Sequence, residues 1–241
     1  MSYRLVADLS HSQRIEDFPD FELGESDYIV EYIEKSEGPL TFEQIDDYDI
    51  LFMGNIDHKE GRKADKFTPE ELKAIKRFVG EGGGLFLTIG DGGDKDIPMK
   101  DGSVRVLYNV TGVRRFWNGK IVETSSNFHV KKHNLSITEF YAHPIVEGIT
   151  ELILPNTTFF TLTDDANDII RTSDKAKFEY YDDDEVVDIG SVPICAASKF
   201  HRGRTVTVGS ANFLLDNEYG IDAGDNLHFL ENIIKWLMFE I

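Results

Sequence analysis

Gly90-Asp91-Gly92-Gly93-Asp94 follows the apolar run Leu85 to Ile89. A glycine-rich turn directly after a buried strand is where an α/β sheet presents a nucleophile at its carboxyl edge. Here the turn holds no attacking atom: Gly90 and Gly92 offer only backbone, and Asp91 offers a carboxylate that accepts hydrogen bonds or touches a cation. The same edge is expected to gather Ser10 and His11 after a first strand, Asn55 after a second, Gly93 in the glycine turn, and Ser210 and Asn212 after a late strand. Together with Asp91 and Gly92 these eight residues form a candidate site for a small polar ligand, with glycine-turn amides as donors.

A second chemistry draws on an overlapping set. Asp8, His11, Asp57, His58 and Asp91 all follow expected parallel strands and supply the mixed nitrogen and oxygen donors that Zn, Mn or Fe accept, so metal-dependent hydrolysis is the enzymatic alternative. The competing reading is that polar side chains in such loops satisfy strand ends and helix starts. His129 and His133 have i, i+4 spacing, but the two lysines between them oppose a cation, which favours a surface pair. The glycine turn lacks the third glycine of a dinucleotide fingerprint and the Lys-Ser/Thr of a P-loop. No cofactor is expected.

The elements that must position these residues are legible from local signals. Tyr3 to Leu9 reads as a strand, and Asp49 to Gly54 as a buried one. Apolar residues at Tyr28, Ile29, Tyr32 and Ile33 carry helical spacing that ends near Gly38-Pro39. Thr68, Pro69 and Glu71 supply an N-cap, a first-turn proline and a capping box. Phe67 is placed to staple Leu72, and Gly80 to cap the far end. Ser103 to Thr111 reads as a short helix and Asp225 to Met238 as a closing one, with Leu227, Leu230, Ile234, Leu237 and Met238 in its apolar stripe. Between them Lys120 to Glu123, Leu152 to Leu154, Phe159 to Leu162, Pro193 to Ala197 and Thr205 to Val208 read as strands. Tyr181 to Glu185 reads as a solvated acidic turn.

Composition bounds the function. With 25 basic and 44 acidic residues the net charge is −19, which repels nucleic acid and anionic membranes. A 41% hydrophobic and 12% aromatic content supports folding throughout, and neither a dividing linker nor a repeat is apparent, so one domain over 1–241 is expected. The first residues lack an apolar leader and no run reaches the ~20 apolar residues of a membrane span, so the expectation is a soluble cytoplasmic protein. The single Cys195 excludes an internal disulfide and agrees with that compartment.

Several landmarks fall in a recognisable order: Tyr48-Asp49-Ile50-Leu51, Thr68-Pro69-Glu70-Glu71, Gly82-Gly83-Gly84-Leu85-Phe86-Leu87, Ala142-His143-Pro144-Ile145 with Gly148-Ile149, Gly203-Arg204-Thr205-Val206 with Gly209-Ser210, and Asp225-Asn226. Together they resemble the GIFT-type domain of gliding-motility proteins and an intraflagellar-transport subunit, within the class I glutamine amidotransferase-like superfamily. The resemblance spans nearly the whole chain. It implies an α/β fold, a flavodoxin-like three-layer sandwich with a mostly parallel central sheet, here with extra β-rich elements in the second half. It also implies a role in assembly, through a protein partner, or in binding a small polar ligand such as a sugar, rather than catalysis.

Working amidotransferases place a cysteine at the elbow, with a histidine and a glutamate downstream. This chain has no elbow cysteine. Cys195 lies inside the apolar run Val192 to Ala197, where a small buried thiol is inert, and neither His143 nor His201 is followed by the required glutamate. His143 before Pro144 reads as part of a turn packed on the core.

Overall fold

The computed structural model describes residues 3–11, 13, 28–34, 37–54, 67–91, 107–116, 119–124, 127–181 and 185–241. The first half contains β1 (Tyr3–Asp8), β2 (Tyr28–Ile33), α1 (Phe42–Ile45), β3 (Ile50–Met53), α2 (Pro69–Glu81), β4 (Gly84–Thr88) and α3 (Tyr108–Thr111). The second half is β-rich: β5 (Val113–Phe116), β6 (Gly119–Val122), β7 (Asn134–Ile137), β8 (Leu152–Pro155), β9 (Phe160–Leu162), β10 (Ala166–Arg171), β11 (Lys177–Tyr180), β12 (Val186–Asp188), β13 (Pro193–Phe200) and β14 (Gly203–Val208). The helix α4 (Asn226–Leu237) closes it.

Seven strands form the central sheet in the order β10-β13-β14-β4-β3-β1-β2. β14, β4, β3, β1 and β2 pair in parallel, and β13 runs antiparallel to both β10 and β14. The apolar runs of β3 and β4 are buried on both sides, as a covered parallel sheet requires. Leu51, Met53, Leu85 and Leu87 join Ile45 of α1, Ile75 and Phe78 of α2, and Val110 of α3 in one core. Ile50, Phe52 and Phe86 point the other way, into a core shared with Phe229, Ile233 and Ile234 of α4 and with Ile121, Leu154 and Phe178 of the second half. These are the three expected layers. One outer layer is helical, and the other combines α4 with the small sheet β12-β11-β6 and the pair β7-β8.

Three local expectations are corrected. Tyr28 to Ile33 is a strand, pairing residue by residue with β1 from Tyr3↔Tyr28 to Asp8↔Ile33. Its apolar spacing is compatible with a helix, but its β-branched and aromatic side chains favour the pleated surface beside β1. The helix α2 runs past Gly80 and is capped by Gly82, whose φ of +124° suits glycine. Leu227 is 39% exposed and lies off the buried stripe of α4. The capping box of α2 forms as expected: the Thr68 hydroxyl accepts from Glu71 N–H, and Glu71 accepts from Thr68 N–H at 2.6 Å. Of the expected helix over Ser103 to Thr111, only the last turn falls among the described residues, as α3, ended by Gly112 at φ +72°. Most of the expected acidic turn, residues 182–184, lies outside the described residues.

Candidate functional site

β1, β4 and β14 all end at the carboxyl edge of the sheet, and the residues just beyond them are Ser10 and His11, Asp91, and Ser210. β3 separates β1 from β4, so the first two groups stand about 10 Å apart, two strand spacings. Asn55, Asp57, His58, Gly92 and Gly93 lie outside the described residues.

The β1 end carries a buried chain of polar contacts. Asp8 is fully buried, and its Oδ1 accepts from the Ser10 backbone N–H at 2.9 Å and from the Ser10 hydroxyl at 2.6 Å. Its Oδ2 accepts from Gln13 Nε2 at 2.5 Å. Ser10 Oγ lies 2.7 Å from His11 Nδ1, and His11 Nε2 lies 3.2 Å from Glu71 Oε1. The His11 ring packs on Phe67, centroids 4.2 Å apart. Glu71 is 2% exposed, and Leu40 N–H donates to its Oε1 at 2.9 Å. One side chain thus caps α2, holds the segment before α1 and anchors the β1 loop.

Burial pushes the Asp8 carboxyl above the usual range, against the lowering effect of its Ser10, His11 and Gln13 contacts. Burial acts the same way on Glu71, but the donors from Thr68 and Leu40 together with His11 bring it below its ordinary value. Glu71 is therefore an acceptor, with His11 Nε2 beside it at ion-pair distance. A serine hydroxyl has one proton. It can therefore go to Asp8 or to His11 Nδ1, but not to both.

The order Ser10, His11, Glu71 has the connectivity of nucleophile, base and orienting acid, but its setting opposes catalysis. Ser10 is 6% exposed, and its hydroxyl is committed to Asp8 at 2.6 Å, which leaves it out of reach of a substrate. The chain acts as an internal latch between β1 and α2. Sequence reasoning assigned Glu71 to the cap alone and missed this second contact, which spans 60 positions and has no local signal.

At the β4 end, the Tyr181 hydroxyl donates to Asp91 Oδ2, tying the elbow to the end of β11. The Lys120 ammonium lies 5.7 Å from the Tyr181 ring centroid. His133 is held below its ordinary range by burial first, then by Lys120 and Lys131, with Asp91 opposing. His129 and His133 sit on a turn rather than a helix, with His129 N–H donating to Asn134 O at 2.8 Å. At the β14 end Ser210 is buried and its hydroxyl donates to Pro155 O at 2.5 Å, while Asn212 opens a short 3-10 turn, Asn212–Leu214, and stays partly exposed.

Among the described residues no group of three His, Cys, Asp or Glu side chains is arranged to hold a metal ion. Cys195 is fully buried in β13, and burial drives its thiol far above the ordinary range. His143 caps the 3-10 turn Pro144–Val146, its Nδ1 accepting from Ile145 N–H at 3.3 Å. Burial, then Arg204 and Lys199, lower its ring to about 4.

Comparison with known proteins places the fold. No family model matches the chain, and no curated protein is similar in sequence. Among solved structures, the chain is similar to an mmIFT52 N-terminal domain at TM-score 0.71 and 12% identity, over 97% of each chain. It is also similar to a ThuA-like protein from Bacteroides uniformis at TM-score 0.55 and 14% identity, covering 98% of this chain and 91% of that one. A third similarity, at TM-score 0.54 and 13% identity, is to the cytoplasmic protein STM1381 from Salmonella typhimurium LT2, over 98% and 99% of the two chains. No helix among the described residues is long and apolar enough to cross a membrane. The chain adopts an α/β fold with extra β elements, similar to that of the mmIFT52 N-terminal domain and of the ThuA-like protein.

Proposed function

We propose that this chain is a GIFT-type, non-catalytic binding module, acting through the carboxyl edge of its sheet on a protein partner or a small polar ligand. The observation that carries the reading is the elbow after β4. A catalytic relative would place its nucleophile there, and here Gly90-Asp91 ends in a carboxylate clasped by Tyr181. The mmIFT52 N-terminal domain, similar over nearly its full length, supports an interaction role. Asp91 and Asn212 supply polar contacts on this edge, with Ser10 and His11 held at its β1 end by their own buried contacts.

The test is an amide-shift titration of the chain with a panel of small polar probes: polyols, primary amides and amino acids. The reading expects at least one probe to shift Gly90, Asp91, Ser210 and Asn212, and Asp91→Ala to weaken it at least tenfold. Unchanged affinity in Asp91→Ala removes the elbow from the site. The metal-dependent hydrolase reading has lost Asp8 and His11 to internal contacts. Stoichiometric Zn or Mn in the purified protein, with metal-dependent turnover, would restore it.

A further inference from the structure

We infer that the outer edge of β2 takes up an extended, basic segment of a partner protein as an additional strand. The inference rests on the binding reading above but uses a different edge of the sheet.

β2 ends the central sheet, and among the described residues no strand pairs with its outer side. Ile33 C=O accepts from Leu9 N–H at 2.9 Å, so the polar groups of Ile33 face β1. In a parallel ladder these groups alternate along the strand, which turns Ile29 and Glu31 inward and leaves the N–H and C=O of Val30 and Tyr32 directed outward. Those four groups are a template for an incoming strand.

Natural sheets blunt such edges with proline, lysine, bulges or short length. β2 has six residues, Tyr-Ile-Val-Glu-Tyr-Ile, without proline or lysine, and its register with β1 is unbroken. It exposes Ile29 at 49% and Tyr32 at 43%. The opposite edge of the same sheet is treated differently: β10 carries register shifts between Asp168 and Arg171, and those two side chains form an ion pair across the irregularity. Among the described residues, the protection at one edge and its lack at the other set β2 apart as an interaction surface.

Charge selects the occupant. Glu31 is half exposed on this edge, on the same face as Ile29; one of its oxygens accepts from the Tyr48 hydroxyl and the other lies a loose 3.7 Å from Arg4. The chain carries a net charge of −19, so a second copy is repelled while a basic segment is drawn in. The fitting segment alternates apolar side chains with lysine or arginine, placing a cation opposite Glu31 and apolar groups over Val30 and Tyr32.

The test uses the whole chain and a seven-residue peptide of alternating valine and lysine, followed by amide shifts. Binding is expected to shift the β2 amides, and N-methylation of the peptide backbone to weaken it at least tenfold. Replacing the peptide lysines with glutamate is expected to do the same. Val30→Pro removes an outward donor without touching the β1 ladder and is expected to match the N-methylated peptide. An N-methylated peptide that binds as well as its parent, or shifts spread over the acidic surface, overturns strand addition in favour of charge attraction alone. Because the N-methyl arm uses unaltered protein, it decides even if Val30→Pro folds poorly. Loss of peptide binding with the Asp91-dependent probe still bound removes strand addition and leaves the carboxyl-edge reading intact.

Discussion

Replacing Glu71 with glutamine tests whether one carboxylate joins three parts of the fold. Its two oxygens accept from Leu40 N–H at 2.9 Å and Thr68 N–H at 2.6 Å, and one lies 3.2 Å from His11 Nε2, at a site only 2% exposed. Glutamine keeps one acceptor oxygen and turns an NH2 group toward a donor, so at least one buried N–H loses its partner. A hydrogen bond to a charged group contributes about 1.5–3 kcal/mol, and a stranded buried donor costs about 1–3 kcal/mol. These overlap, and the expected loss is roughly 2–4 kcal/mol. For a chain of this size that is a fall in Tm of about 4–16 °C. Urea unfolding followed by far-UV circular dichroism measures it, with Glu70→Gln as control, since Glu70 is exposed on the same turn and is expected to change stability by less than about 0.5 kcal/mol. A Glu71→Gln protein no less stable than Glu70→Gln would refute the latch.

His143 predicts an acid-sensitive stability. Its ring stays neutral in the folded state down to about 4, whereas the unfolded chain protonates near 6.5. Stability is therefore full above pH 6.5 and declines as pH falls toward 4, by a ceiling of roughly 3 kcal/mol that partial solvation of the ring reduces. The difference between wild type and His143→Gln across this window measures it, and parallel curves would remove the effect. Gly83→Ala places a Cβ 2.4 Å from the Phe78 ring and is expected to cost about 1–3 kcal/mol in urea unfolding. Cys195 is expected to react with a maleimide only at the rate of global unfolding, and rapid labelling of the native protein would contradict its burial.

What was legible in the sequence was what local chemistry decides. The start of α2 follows from Thr68, Pro69 and Glu71 within four residues, and β3 and β4 follow from short apolar runs between polar turns. β2 was not legible, because Tyr28, Ile29, Tyr32 and Ile33 fit a helix as well as a strand until β1 is beside them. The cap falls at Gly82 rather than Gly80 because it is Gly82 that takes a positive φ, +124°, with its N–H on the Phe78 and Val79 carbonyls, and two nearby glycines look alike in the sequence. Site contacts were hidden too. Glu71 meets His11 across 60 positions and Asp91 meets Tyr181 across 90, and neither pairing leaves a mark on the residues around it.

The carboxyl-edge account is tested most directly by titrating wild-type chain and Asp91→Ala with the polar probe panel while following both amide shifts and product formation in the same samples. The account predicts shifts at Gly90, Asp91, Ser210 and Asn212, an affinity at least tenfold weaker in Asp91→Ala, and no product from any probe. Shifts confined to other surfaces, or turnover of a probe, would contradict it.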